Sequence, residues 1–254
     1  MKIMTESYPR HIKFENVINF RDIGGYRAKD GYIVAWRRLF RSGDFRNMTR
    51  SDLNLLTEEI GLTSVIDLRS SIEVERQGIG LLAETDIKYH SISFIVGADR
   101  VEDERLFREF TNMGQFYLHL LRHSEFGERI VAALEIIAET ENHPLVFNCA
   151  IGKDRTGILA AILLSVLGVE DEDIIEDYSL STPYMEELLR RIRSDPEIAR
   201  AIEPLPAYFW EAAPESMSLF LSTLRREHGS TESYLKSQGA EPSLIPRLER
   251  ALLT

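Results

Sequence analysis

The spacing of apolar residues along this chain predicts an order of short strands and helices. Short apolar runs that end at polar residues predict strands over 64–68, 87–95 and 145–147. Residues 12–40 predict further short strands and turns, because Gly24-Gly25 and Asp30-Gly31 interrupt them and 32–36 has strand composition. Apolar residues at helical spacing predict helices over 51–60, 102–122, 126–140, 158–169, 171–179, 183–194, 216–228 and 231–253.

The alternation of these strands and helices predicts an α/β fold. The order strand, helix, strand, loop, helix implies a mostly parallel central sheet flanked by helices on both faces. With 254 residues, of which 44% are hydrophobic, the chain is long enough for one packed domain over 1–254. Prolines and aromatic residues over 203–214 predict an irregular connector, and no repeat or interdomain linker divides the sequence.

The strand predicted at 145–147 is followed by a polar loop and then by an apolar helix. This loop contains Cys149, the only cysteine of the chain, and Arg155. In such a loop the backbone N–H groups point inward and the helix dipole adds positive potential, which suits a tetrahedral oxyanion and favours a thiolate. A guanidinium can bind two oxygens of one phosphate. This one segment therefore predicts a nucleophile at Cys149, an anion-binding site formed by backbone amides, and a guanidinium ligand at Arg155.

The loop resembles that of the cysteine-based protein tyrosine phosphatases, whose signature is Cys, five residues, Arg, and then Ser or Thr. Cys149, Arg155 and Thr156 match this signature, and the inner Gly-Lys-Asp is similar to a bacterial branch of tyrosine and phosphoinositide phosphatases. The stretches 19–25, 41–43 and 67–73 also resemble motifs of that branch. The resemblance extends over residues 16–180 and is weak beyond them.

The resemblance implies a protein tyrosine phosphatase-like fold with helical insertions. It implies that the segments 99–125 and 178–228 could form a lid, which would exclude water from the site. The chain differs from many members at one position, where Asn148 replaces the His that precedes the nucleophile. Because an amide carries no charge, Asn148 can orient the loop by hydrogen bonds alone.

The resemblance also implies a chemical role for each loop residue. Cys149 would attack phosphorus and form a cysteinyl-phosphate intermediate that water hydrolyses, with no metal ion and no cofactor. The Thr156 hydroxyl would donate to the sulfur and ease its departure in the second step. The phosphoryl oxygens would be bound by Arg155 together with Ala150, Ile151, Gly152, Lys153 and Thr156.

Three carboxyls are candidates for the general acid that protonates the leaving oxygen. Asp154 directly precedes the loop arginine, as the acid does in some phosphoinositide phosphatases, and it ranks first. Asp67 ends a predicted strand and ranks second; its alternative role is an ion pair with Arg69 or Arg41 that braces the site. Asp99 follows strand 87–95, at the position of the mobile acid in dual-specificity phosphatases, and ranks third.

Charge and composition narrow the substrates and partners. The net charge of −11 disfavours nucleic acid and anionic membranes as partners of the whole surface, so an anionic substrate needs a local positive site. Lys153 would add a second cation there, which favours multiply phosphorylated headgroups, unless it faces solvent or pairs with a neighbouring acid. We expect a phosphorylated protein or a phosphoinositide as substrate and no stable membrane insertion, while the oligomeric state stays open.

A single cysteine excludes an internal disulfide and fits a reducing compartment. The first residues lack the apolar region of a signal peptide, so we expect a cytoplasmic protein or one secreted without a classical signal peptide. One cysteine and scattered histidines argue against a zinc site.

The leading expectation is a metal-independent phosphatase for phosphotyrosine, with phosphoserine, phosphothreonine and phosphoinositides as further substrates. A catalytically silent phosphate-binding module is the alternative, and Asn148 in place of the frequent His favours it. Sulfur transfer and arsenate reduction also use a cysteine in an anion-binding loop. Reductases of that kind usually need further cysteines, which this chain lacks.

Overall fold

A computed structural model describes residues 8–94, 109–193 and 205–254, which form a five-stranded sheet between helices. The strands are β1 (Arg21–Asp22), β2 (Leu39–Ser42), β3 (Ser64–Asp67), β4 (Lys88–Ser91) and β5 (Leu145–Asn148). They lie in the order β1-β2-β5-β3-β4, with β1 antiparallel to β2 and all other neighbours parallel. The predicted α/β fold with a mostly parallel central sheet is confirmed.

The helices of the described residues are numbered in chain order. They are α1 (Arg50–Asn54, extended by a π-helical turn over Leu55–Ile60), α2 (Ser71–Gln77), α3 (Met113–Leu121), α4 (Ser124–Ala138), α5 (Asp154–Val166), α6 (Asp171–Ser179), α7 (Thr182–Arg193), α8 (Pro214–His228), α9 (Thr231–Ser237) and α10 (Leu244–Leu252). Short 3-10 helices occupy Lys29–Gly31, Gly80–Glu84, Thr140–Asn142 and Ala207–Trp210. None of the helices that the structure describes is long and apolar enough to cross a bilayer.

Successive side chains of a strand point to opposite faces, and β1, β2, β3 and β5 are buried on both, whereas the edge strand β4 is partly exposed. Val65 and Val146 belong to a hydrophobic cluster on the α1 side. Ile66 and Phe147 belong to a larger cluster on the other side, which contains residues of α3 to α6 and α8 to α10. Burial on both sides explains why β3 and β5 have continuous apolar sequences rather than alternating ones.

The structure departs from the predicted elements in the first forty residues. The stretch 32–36 forms no strand, and Ile33 and Val34 make only isolated bridges. The chain turns at Arg37, which has a φ of 59°, and the strand follows at Leu39–Ser42. This strand contains Arg41 and a serine, and these polar residues hid it from a pattern based on apolar runs.

Two predicted helices also have different bounds. The helix expected over 231–253 is divided into α9 and α10, since Gly239 adopts a left-handed φ of 90° after α9. Helix α3 begins at Met113, where the Asn112 side chain accepts a hydrogen bond from the Gln115 amide. The start expected at residue 102 lies outside the described residues.

The parallel pairing of β3 and β5 determines where the polar residues meet. Asp67 and Asn148 are opposite each other at the carboxyl ends of these strands. The backbone amide of Leu68 donates to the Asn148 carbonyl at 2.8 Å, which holds the two chain ends together. Ligands of open α/β sheets bind at this edge, and the loop that leads to α5 begins there.

Candidate active site

Cys149 directly follows β5, and its side chain is buried, with 3% of its surface exposed. The backbone N–H of Gly152 donates to Cys149 Sγ at 3.3 Å. Helix α5 begins at Asp154, so the sulfur lies at the N-terminal end of a helix. The helix dipole and the free amides of a first turn favour a negative charge at that place.

The carbonyl groups of the loop are turned away from the sulfur by three donors. The amide of Asp44 donates to the Ala150 carbonyl at 3.3 Å. Asn19 Nδ2 donates to the Ile151 carbonyl at 3.0 Å, and an arginine donates to the Gly152 carbonyl at 2.8 Å. A trans peptide is planar, with its C=O and N–H pointing in opposite directions, so these bonds aim the following amides at the centre of the loop.

Glycine is required at position 152. Its φ is 76°, and a Cβ there would lie 2.5 Å from the backbone carbon and oxygen of Ser42. Any other residue would have to move the loop away from β2. The loop can therefore lie close against β2, where its carbonyls meet their donors.

The arginine that donates to Gly152 is Arg41, which is buried beneath the loop. Its guanidinium also donates to the carboxylate of Asp177, and so does that of Arg21, with Nε 3.1 Å from Oδ1. Arg21 in turn donates to Asn19 Oδ1, and the φ of Asn19 is 57°. Asp177 thus supports two of the three donors that hold the loop carbonyls.

The charges of this network shift the pKa values of its members. Burial alone would raise the pKa of Asp177, but the charges of Arg21 and Arg41 outweigh burial and hold the pKa below its ordinary range. Burial, and then the neighbouring charge of Arg21, lowers the pKa of Arg41 to about 10. Asp177 and Arg41 are therefore both charged near neutral pH, as a buried ion pair requires.

The guanidinium of Arg155 is held by Glu73 on helix α2. Nη1 and Nη2 donate to the two carboxylate oxygens at 2.6 and 3.0 Å. A capping box fixes that carboxylate, since Glu73 also accepts from the Ser70 amide at 2.8 Å. Burial alone would raise the pKa of Glu73, but its bonds to Arg155 outweigh burial and lower it.

Asp154 lies at the start of α5 with a partly exposed side chain. Its Oδ1 accepts a hydrogen bond from the Tyr117 hydroxyl at 2.6 Å, and that hydroxyl is 2.7 Å from the Tyr178 hydroxyl. The carboxyl is thereby oriented while part of its surface remains accessible. This geometry suits a group that must meet a leaving oxygen.

Asp67 is buried and has a different environment. Its oxygens accept from Arg69 Nε at 3.0 Å and Nη2 at 2.6 Å, and from the Tyr89 hydroxyl at 2.7 Å. This is the ion pair that the sequence offered as the alternative to catalysis. Asp99, the third candidate, lies outside the described residues.

The Lys153 side chain does not extend to an open rim. Its ammonium group donates to the Phe209 carbonyl, lies 3.1 Å from the Glu211 carbonyl and is 3.5 Å from Asp154 Oδ1. Only 1% of the side chain is exposed. The sequence left Lys153 as a second phosphate ligand, as a solvent-facing side chain or as the partner of a neighbouring acid. The structure shows the last of these, a pair with Asp154. The backbone amide of Lys153 still belongs to the loop.

Two further residues are buried without hydrogen-bond partners for their side chains among the residues that the structure describes. They are Asn148, at both its amide atoms, and Thr156, at its hydroxyl. The Asn148 side chain therefore makes no hydrogen bond that would orient the loop, and the Thr156 hydroxyl does not donate to the sulfur. Both roles stay predictions. Among all the residues that the structure describes, no group of three or more His, Cys, Asp or Glu side chains is placed to hold a metal ion.

The sequence did not assign roles to Asp177, Glu73 and Tyr117. A signal existed for Asp177, which shares a helix face with Ile174 and Tyr178, both buried. An acid on an apolar stripe requires a buried partner. Ser70 and Glu73 form the S-x-x-E pattern that predicts a helix start. The sequence contains no comparable signal for Tyr117.

Replacement of Asp177 by Asn should destabilise the fold by about 3–5 kcal/mol, because it leaves two buried guanidinium groups unpaired. Urea unfolding at about pH 7 measures the loss, with Glu176→Gln, an exposed neighbour, as control. A carboxyl with a lowered pKa stabilises fully above its unfolded pKa of about 4 and loses this contribution at lower pH. At about pH 3 the difference in unfolding free energy between wild type and Asp177→Asn should therefore be about 1 kcal/mol smaller than at about pH 7. An unchanged difference would contradict the ion network.

Comparison with known proteins gives a family match and several relatives. Residues 12–254 match the model of the Tyrosine phosphatase family. The Tyrosine-protein phosphatase of Nostoc commune is 29% identical over 216 residues, which cover 82% of this chain and 72% of the relative. The Triple specificity protein phosphatase PtpB of Mycobacterium tuberculosis is 27% identical in an alignment that covers 92% of this chain and 96% of the relative.

One solved structure with a weaker likeness is the core catalytic domain of the PP-IP phosphatase SIW14 from S. cerevisiae, in complex with citrate. Its TM-score is 0.37 at 18% identity, over 56% of this chain and 70% of that one. This likeness adds nothing to the assignment. Because the family match extends from residue 12 to residue 254 and includes the whole loop, the chain belongs to the tyrosine phosphatase family and is a phosphoric monoester hydrolase.

Proposed function

We propose that this chain hydrolyses phosphotyrosine in proteins through a cysteinyl-phosphate intermediate on Cys149. The orientation of the loop is the observation that carries the proposal. Three consecutive carbonyls are bonded outward, and the Gly152 amide already donates to the sulfur. Such a ring of amides is complementary to the oxygens of a phosphoryl group and needs no rearrangement when the group binds.

The reaction has two steps. In the first, Cys149 Sγ forms a bond to phosphorus while the ester P–O bond breaks, and the leaving oxygen takes the proton of Asp154. In the second, water attacks phosphorus, gives a proton back to Asp154, and the P–S bond breaks. Arg155 and the amides of residues 150–153 bind the equatorial oxygens, and Thr156 stabilises the departing sulfur.

The contacts of the candidate acids support Asp154 for the proton transfer. Its side chain is 21% exposed and is oriented by Tyr117. The oxygens of Asp67 are occupied by Arg69 and Tyr89, which leaves them no access to a leaving group. Asp67 then serves the site by fixing the loop that follows β3.

Phosphoserine, phosphothreonine and phosphoinositides are further candidate substrates. The relative from Mycobacterium tuberculosis is named a triple specificity protein phosphatase, and 96% of it aligns with this chain.

The proposal also includes the domain organisation. Residues 1–254 form a single domain, and the segments 99–125 and 178–228 form a lid over the site. The bonds between Lys153 and residues 209 and 211 support a cover made by the second segment.

A catalytically silent phosphate-binding module is the second candidate function. The observation that favours it is Asn148, whose buried amide has no partner among the described residues, at the position where many members carry His. A module of this kind would bind phosphopeptides without releasing phosphate. Any turnover that depends on Cys149 rules it out.

Replacement of Cys149 by Ser should reduce the hydrolysis of para-nitrophenyl phosphate by roughly 10³-fold or more, because the hydroxyl is a far weaker nucleophile. The assay is carried out in EDTA, which should not reduce wild-type turnover. Urea unfolding of both proteins controls for folding. Turnover that requires added metal, or that persists in the variant, would contradict the mechanism.

Replacement of Asp154 by Asn should affect poor leaving groups most. Hydrolysis of phenyl phosphate should fall by roughly 10²-fold, since general acid catalysis contributes about this much, and that of para-nitrophenyl phosphate should fall far less. The measured quantity is the ratio of the two kcat values. Equal losses on both esters would assign the acid role to another residue.

Replacement of Glu73 by Gln should raise KM for aryl phosphates about tenfold, because Arg155 loses the charged partner that orients its guanidinium group. The matched control is Glu75→Gln, which removes the same charge from an exposed position of α2. Initial rates over a range of substrate concentrations separate KM from kcat. Equal KM values for the two variants would refute the positioning role of Glu73.

A further inference from the structure

The ammonium group of Lys153 is surrounded by oxygens of this chain. An ammonium has three donors, and three oxygens surround Nζ: the Phe209 carbonyl, the Glu211 carbonyl at 3.1 Å and Asp154 Oδ1 at 3.5 Å. The Phe209 ring centroid lies 5.4 Å from Nζ, within the range of a cation–π interaction. A phosphate could bind this group only by displacing one of these partners.

The partners of Lys153 belong to a segment distant in sequence. The segment contains the 3-10 helix Ala207–Trp210, in which Tyr208, Phe209 and Trp210 are half-buried. Its backbone carbonyls, not its side chains, accept from Lys153. The bonds therefore fix the path of the segment beside the loop, where Tyr208 and Phe209 also pack against the main hydrophobic cluster.

Burial makes this contact energetically consequential. Desolvation lowers the pKa of Lys153, and the charge of Asp154 opposes the shift. A buried ammonium that lost its oxygen partners would be strongly unfavourable. The loop and the segment are thus coupled, because movement of the segment would expose the Lys153 ammonium group to solvent or leave it buried without its oxygen partners.

We propose that Lys153 is a positioning residue that fixes residues 207–211 as an aromatic wall beside the catalytic loop, and that its charge does not serve a second phosphate. This inference rests on the proposed function. Among the candidate substrates named above it selects phosphotyrosine, a single phosphate on an aromatic carrier, over phosphoserine, phosphothreonine and phosphoinositides.

The first test compares two inhibitors of para-nitrophenyl phosphate hydrolysis, inorganic phosphate and inositol 1,4,5-trisphosphate. Lys153→Met should weaken both by a similar factor, because it disturbs the loop and the wall but removes no phosphate ligand. A trisphosphate that does not inhibit the wild type also agrees with the proposal. If Lys153→Met weakens the trisphosphate tenfold more than phosphate, Lys153 binds a second phosphate and the proposal is wrong.

The second test follows the wall directly and needs no turnover. The chain has two tryptophans, so Trp36→Phe leaves Trp210 as the only one. In that background Lys153→Met should increase acrylamide quenching of Trp210 about twofold or more, as expected for a half-buried ring released to solvent. The matched control is Lys236→Met, an exposed lysine of α9, which should leave quenching unchanged. Unchanged quenching in Lys153→Met would overturn the proposal.

The two tests separate this inference from the function on which it rests. Loss of the Cys149 mechanism would not alter the fluorescence of Trp210, whereas loss of the wall would leave turnover dependent on Cys149. Should Lys153→Met fail to fold, Lys153→Gln takes its place, because its neutral amide can still donate to a carbonyl. The inhibitor comparison then decides, because Lys153→Gln removes the charge whether or not the bond to the segment is kept.

Discussion

The catalytic loop depends on the hydrogen bond from buried Arg41 to the Gly152 carbonyl. That bond, with those from Asn19 and Asp44, turns three carbonyls outward and so three amides inward. Water could satisfy these carbonyls equally well, but it would not fix their direction. A site whose dipoles are fixed before the anion arrives avoids reorganisation during the reaction, and this preorganisation supplies most of the rate acceleration in many enzymes.

This orientation requires charges to be buried beneath the loop. Arg21 and Arg41 lie out of solvent, and Asp177 compensates both of them. Buried ion networks of this kind rarely stabilise a fold compared with apolar side chains. Their presence here is explained by the loop that they hold rather than by the stability of the core.

Sequence reasoning succeeded where the determining contacts are local. The strands β3 and β5, the helix α6 and the strand-to-helix loop follow from apolar runs and from residues adjacent in the chain. The pairing of Asp67 with Arg69, two residues apart, was also among the predicted alternatives. Strand β2 was missed because Arg41, which donates to the Gly152 carbonyl, ends its apolar run after two residues.

The partners that act over long distances could not be predicted in the same way. Arg21 and Asp177 are 156 residues apart, and Lys153 and Phe209 are 56 apart. An isolated charge in a sequence shows that some partner is needed but not which one, since the pairing depends on how the helices pack. Side-chain charge alone therefore left a second phosphate ligand, a solvent-facing side chain and an acid pair as alternatives for Lys153, and the packing of the chain decides among them.

The distribution of the cations around the loop bears on specificity. Arg21 and Arg41 face Asp177 below the loop, and Lys153 faces the segment at 209–211. Arg155, held by Glu73, remains at the sulfur together with the amides and the helix dipole. Under the proposed function, the buried contacts that orient the loop thus leave Arg155 and the loop amides as the ligands of one phosphate.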